Sequence, residues 1–185
     1  MKQREFCIVG LGLLGGSYAM ALSRAGCRVT AVDVRREALE YAKEQGWIQA
    51  GALSEDAPAL LHDAQVIVLG LYPQDIMPWI MQYQQHFRPG VLLTDVCGVK
   101  RAVVSRVQEI LRPDAELIAC HPMAGKEVSG VEYADCAIFR PANFLITPTE
   151  KNTPEAILFA HELGKTLGFA RITELSCEKH DEMIG

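Results

Sequence analysis

Gly10-Leu11-Gly12-Leu13-Leu14-Gly15-Gly16-Ser17 decides how this chain is read. The apolar run Phe6-Cys7-Ile8-Val9 precedes it. A stretch rich in Ala, Leu and Met follows from about Leu14 to Ala25 and is stopped by Gly26. A buried strand, a glycine turn and a helix in that order predict a pyrophosphate-binding turn. Gly10 permits the tight bend, Gly12 lets backbone approach a phosphate, and Gly15 allows close contact of helix with strand. The helix N-terminus at Leu13 and Leu14 then offers free N–H groups and its dipole to an anion.

The pattern repeats outward from this turn. Strands are expected at Arg28–Asp33, Trp47–Ala50, Gln65–Gly70, Gly90–Thr94 and Leu117–Cys120. Helices are expected at Arg36–Gln45, after a Ser54 cap, from Pro73 with a kink or restart at Pro78, and over Val99–Leu111. Continuous apolar strands separated by helices read as βαβ units buried on both faces. The fold class is α/β: a Rossmann-like, doubly wound, mostly parallel sheet with flanking helices. Beyond residue 121 comes a loop with a short helix over Met123–Arg140. A strand at Asn143–Thr147, a helix at Pro154–Leu167 and a strand at Phe169–Thr173 then extend the sheet system. Ser176 to Asp181 reads as the first turns of another helix.

With 185 residues, 49% of them hydrophobic and 22% charged, the chain has the size and composition of one globular domain. A net charge of -5 disfavours nucleic acid as a partner, because phosphate binding needs concentrated positive charge. No apolar run is long enough to span a membrane, and the N-terminus lacks the pattern of a signal peptide. Six cysteines without a CxxC pair suggest reduced thiols and a cytoplasmic setting. No HExxH or paired CxxC supports a metal site.

Asp33 ends the second predicted strand. A carboxylate there accepts hydrogen bonds from adenosine ribose hydroxyls and repels a 2'-phosphate, which favours NAD over NADP. Arg35-Arg36 leaves NADP open, since either arginine could attract that phosphate. Leu71-Tyr72 and the segment from Asp95 through Gly98 to Lys100 follow the carboxyl ends of the next two strands. Ligands of open α/β sheets collect at that edge, so these are candidate contacts to the cofactor.

His121 leaves the same edge and opens His121-Pro122-Met123-Ala124-Gly125-Lys126-Glu127-Val128-Ser129-Gly130. A histidine can take a proton from an alcohol as hydride departs. His121, Ser129 and Lys100 form the candidate catalytic set. Gly125, Lys126, Glu127, Ser129 and His180 join His121 as candidate contacts to a small-molecule substrate. Each has a plainer reading as a solvated loop residue, a local cap or an ion pair.

The glycine motif, Thr94-Asp95-Val96-Cys97-Gly98-Val99-Lys100, the His121 loop and the late His180-Asp181 together resemble the prephenate dehydrogenases and their arogenate-using relatives of tyrosine biosynthesis. The resemblance covers essentially all 185 residues. It implies NAD-dependent oxidative decarboxylation of prephenate to 4-hydroxyphenylpyruvate, or of arogenate to tyrosine, with His121 as the base. It also implies residues 1–175 as a dinucleotide-binding domain. Residues 176–185 would begin a helical domain, absent from this chain, through which the full-length protein forms a homodimer. That domain would bring a Ser-His-Leu-Pro-His segment and an arginine for the substrate carboxylates. The family loop commonly reads Asp-x-Gly-Ser-x-Lys, and its serine bonds the catalytic histidine. Gly98 stands at that serine position here, so Cys97, Ser129 or water must orient His121, or activity falls. The competing readings are another β-hydroxyacid dehydrogenase, a dinucleotide-binding module with little catalysis, and a redox sensor built on Cys97.

Overall fold

A computed structural model describes residues 1–184, and Gly185 lies outside the described residues. Six strands form a parallel sheet: β1 (Glu5–Val9), β2 (Arg28–Asp33), β3 (Ala50–Leu53), β4 (Val66–Leu69), β5 (Leu92–Asp95) and β6 (Glu116–Leu117). Their spatial order is β3-β2-β1-β4-β5-β6. The order reverses at β1, which pairs with β2 on one side and β4 on the other. That reversal opens a crevice beyond the carboxyl end of β1, where the glycine turn lies.

Helices α1 (Leu13–Arg24), α2 (Arg36–Glu44), α3 (Ala57–Asp63), α4 (Pro73–Tyr83) and α5 (Arg101–Ile110) connect these strands. They cover the sheet through two clusters. One gathers Ile8, Tyr18, Leu22, Val29 and Val68, and the other Val9, Ile67, Leu69, Ile76 and Leu93. β1 and β4 are therefore apolar on both faces, as parallel strands between two helical layers must be.

A second sheet has β8 (Asn143–Thr147) between β7 (Ala119–Pro122), antiparallel to it, and β9 (Arg171–Glu174), parallel to it. α6 (Pro154–Leu167) joins β8 to β9 and starts at the Thr153 cap, whose side chain accepts from the Ala156 N–H. α7 (Cys177–Ile184) packs against α5, with Cys177 beside Val104 and Ala119.

The architecture agrees with the expected α/β class, and several boundaries move. The third strand is Ala50–Leu53 rather than Trp47–Ala50, because Trp47 instead stacks edge-on against Tyr41. Ser54 opens a 3₁₀ turn and makes no side-chain cap. α4 continues through Pro78. The run expected as one strand, Leu117–Cys120, is divided between the two sheets. Ile118 donates its N–H to the Leu93 carbonyl at 3.0 Å, and the chain then leaves β5 to pair with β8. His121 consequently lies inside β7, opposite Leu145, rather than in a loop after a strand.

Candidate active site

The glycine turn is built as its spacing predicts. Gly10 adopts φ +91°, a conformation that favours glycine. A Cβ on Gly15 would overlap the Gly10 carbonyl, so helix and turn touch as closely as backbone allows. Gly12 differs from both: an added Cβ there meets no atom within 4 Å. The space in front of it is therefore open to a ligand. The first α-helical bond runs from Gly16 N–H to Gly12 carbonyl, leaving the N–H groups of Leu13 and Leu14 ahead of it at the helix mouth.

Asp33 braces this turn from β2. Its Oδ2 accepts from the Leu11 N–H at 2.6 Å and its Oδ1 from the Arg35 N–H at 2.8 Å. The Arg35 guanidinium donates to the Leu11 carbonyl at 3.1 Å and lies 3.7 Å from Asp33. Arg35 is thus tied to the turn and to the carboxylate. Leu71 lies against Gly10, and Tyr72 projects into solvent at 72% exposure from the β4 edge. These residues fit a dinucleotide: a carboxylate for the ribose, open backbone for the pyrophosphate, and unpaired N–H groups at its mouth.

The loop after β7 returns to the same helix. Ser17 accepts from the Asp135 N–H at 2.9 Å, and a Cβ on Gly16 would meet Ala134 at 2.8 Å. Residues 123–135 therefore form a strap from His121 to the start of α1. Ser17 closes the glycine stretch, and nothing in its sequence neighbours points to this bond across 118 positions. Within the strap, the Lys126 ammonium lies 3.5 Å from Asp135. Glu127 and Ser129 are exposed, and Gly125 has open space around it.

His121 is half-buried beside the β5 edge. Its Nδ1 is 2.9 Å from His180 Nε2. On the other side of the ring, a Cβ at Gly98 would lie 3.4 Å from Nε2. Burial, then the charge of Lys100 and the neighbouring His180, push the His121 pKa down to about 4, with Asp95 opposing them. The ring is accordingly neutral at physiological pH and able to accept a proton.

Three residues expected at the ligand surface are instead engaged inside. Lys100 is fully buried, and its Nζ donates to Asp95 Oδ2 at 2.5 Å. Burial opposes its charge, but Asp95 outweighs that and raises its pKa. Lys100 therefore has no route to substrate while this pair is intact. Asp95 is 2% exposed, and its Oδ1 accepts from the Cys120 N–H at 3.1 Å, so its side chain is a strand anchor rather than a cofactor contact. His180 is fully buried with both ring nitrogens engaged, which removes it from the substrate surface.

Neither of the side chains proposed to replace the loop serine holds His121. Cys97 Sγ donates to Asp95 Oδ2 at 2.7 Å and lies 3.1 Å from the Val99 carbonyl. Burial and then Asp95 push its thiol up to about 12, which also argues against a redox role. Among the described residues Ser129 makes no hydrogen bond to His121, and His180 takes that place. Among them, too, no cluster of three or more His, Cys, Asp or Glu is arranged for a metal, no helix is long and apolar enough to cross a membrane, and all six cysteines are free.

The low pKa of His121 has an expected consequence. Its ring C–H resonances should titrate with a midpoint near 4. A midpoint at the ordinary 6.5 would contradict the burial. The unfolded chain takes that proton first as pH falls, so the fold should lose stability progressively between 6.5 and about 4.

Strand order, glycine turn and edge carboxylate define a Rossmann-class dinucleotide-binding domain. Residues 18–173 match the model of the family described as prephenate dehydrogenase, nucleotide-binding domain, and the chain belongs to that family. It is 27% identical to a prephenate dehydrogenase of Bacillus subtilis over 94% of this chain and 47% of the relative. A cyclohexadienyl dehydrogenase of Zymomonas mobilis is 24% identical over 98% of this chain and 61% of the relative. The chain thus spans about half the length of the curated relatives it matches. Among solved structures, Synechocystis arogenate dehydrogenase has TM-score 0.88 and 29% identity over 97% of this chain and 62% of its own. Aquifex aeolicus prephenate dehydrogenase, in complex with hydroxyphenyl propionate and NAD+, shares the fold at TM-score 0.89 and 24% identity, over 99% of this chain and 63% of its own.

Proposed function

We propose that this chain is the cofactor-binding and base-bearing domain of an NAD-dependent dehydrogenase acting on prephenate or its amino analogue arogenate. The observation that carries this reading is the neutral, half-buried His121, strapped to the helix that the glycine turn opens, with its Nε2 toward Gly98. Relatives named prephenate, arogenate and cyclohexadienyl dehydrogenase support the substrate class.

NAD supplies the hydride acceptor for C4 of the cyclohexadienol ring. His121 Nε2 takes the proton of the 4-hydroxyl. The bond to the ring carboxylate then breaks, carbon dioxide leaves, its electron pair completes the aromatic ring, and the proton held on His121 returns to the 4-oxygen to give the phenol. Gly12, Leu13 and Leu14 hold the pyrophosphate through backbone, and Asp33 holds the ribose. A helical domain following residue 175 dimerises the full-length protein and supplies further substrate contacts. The test is NADH formation with prephenate and with arogenate. Hydride transfer with either supports the reading. No transfer with either, in a protein carrying the complete family length, contradicts it.

Asp33 sets the cofactor preference. NAD should bind at least about tenfold more tightly than NADP, the scale of one hydrogen bond to a charged group. Asp33→Asn should narrow that ratio in paired titrations. Equal binding of the two cofactors by the unsubstituted chain would show that Arg35 and Arg36 cancel the carboxylate.

A further inference from the structure

We propose that His180 and Asp181 are positioning residues that hold His121 in its Nδ1–H tautomer and thereby leave Nε2 bare as the base. The proposal rests on the reading of His121 above. Its geometry is a continuous chain. His121 Nδ1 lies 2.9 Å from His180 Nε2, and His180 Nδ1 lies 2.8 Å from Asp181 Oδ1. A carboxylate only accepts, so the proton on the His180 ring sits at Nδ1. With its proton placed there, the His180 ring presents a bare Nε2, which accepts only if His121 carries its proton on Nδ1. The lone pair of His121 is left at Nε2, toward Gly98.

Asp181 is itself fixed. Its Oδ1 accepts from the Lys100 N–H at 3.0 Å and its Oδ2 from the Arg101 N–H at 2.9 Å. Partial burial disfavours its ionisation, but the His180 bond and these two N–H groups outweigh that and lower its pKa. The carboxylate therefore stays ionised and acceptor-only across the physiological range. The segment that brings Gly98 to one side of the His121 ring also starts α5, whose first N–H groups hold the far end of the chain. The other charges facing the pair are Asp95 and Lys100, which are bound to each other. This arrangement accounts for how a ring that faces a glycine on its Nε2 side is still oriented. It follows the logic by which a carboxylate fixes the tautomer of a catalytic histidine in hydrolases.

The test is a two-bond ¹⁵N–¹H spectrum of the 185-residue chain with ¹⁵N-labelled histidine at neutral pH. Both His121 and His180 should show the Nδ1–H pattern. An Nε2–H pattern at His121 overturns the proposal without any variant. Asp181→Asn introduces an amide that can donate to His180 Nδ1, so the His121 signals should shift to a tautomer mixture while the remaining amide spectrum is retained. An unshifted His121 pattern in that folded variant also overturns the proposal. Failure of turnover or of NAD binding would count against the function proposed above and leave this spectrum unchanged, so the two failures are distinguishable.

Discussion

Replacing His121 with Asn should lower kcat by roughly 10²–10⁴-fold, the usual contribution of a positioned general base, and leave the affinity for NAD unchanged. The side chains are similar in polarity, and an amide can still hydrogen-bond, but it cannot take a proton at neutral pH. The glycine turn and Asp33 belong to β1, α1 and β2, whereas His121 belongs to β7 in the second sheet. Cofactor binding and proton transfer are therefore separable by mutation. Turnover within a few-fold of the unsubstituted protein would remove His121 from the mechanism. A parallel loss of NAD affinity would mean that the residue acts by holding the cofactor.

Lys100→Met should destabilise the fold by about 3–5 kcal/mol, the cost of leaving one member of a buried pair behind. Met approximates the length of the lost chain, so the cavity is small and the unpaired carboxylate dominates. Asp95 is 2% exposed and also binds the N–H groups of Cys97 and Cys120. Denaturant unfolding measures the loss. A loss below about 1 kcal/mol, the value of an exposed pair, would show that the pair is not desolvated.

The same pair explains why the residues are legible to different degrees. Local rules predict the glycine turn, α1, the edge carboxylate Asp33 and the helix Pro154–Leu167, because each depends on neighbours a few positions away. The split of Leu117–Cys120 between two sheets is not legible, since both sheets demand the same apolar residues and periodicity does not register a change of partner. That split places His121 within a strand. Lys100, Asp95 and His180 are recognisable as polar residues near the site, but their burial is not. Lys100 and Asp95 are only five positions apart, yet nothing local shows that the pair turns inward. The Lys100 backbone N–H meets Asp181 across 81 positions, and His121 meets His180 across 59. These longer pairings arise from the docking of α7 on α5. Without the burial and the docking, a lysine after a strand and a histidine near the site read as ligand contacts.

One bound dinucleotide should link the glycine turn to His121. The most direct measurement is a titration of the 185-residue chain with NAD, followed by amide and imidazole chemical shifts. Saturable shifts are expected at Gly12, Leu13, Leu14 and Asp33, together with a shift of the His121 ring as the nicotinamide end reaches the β5 edge. Absence of saturable binding, or binding that leaves His121 untouched while the turn saturates, would contradict it.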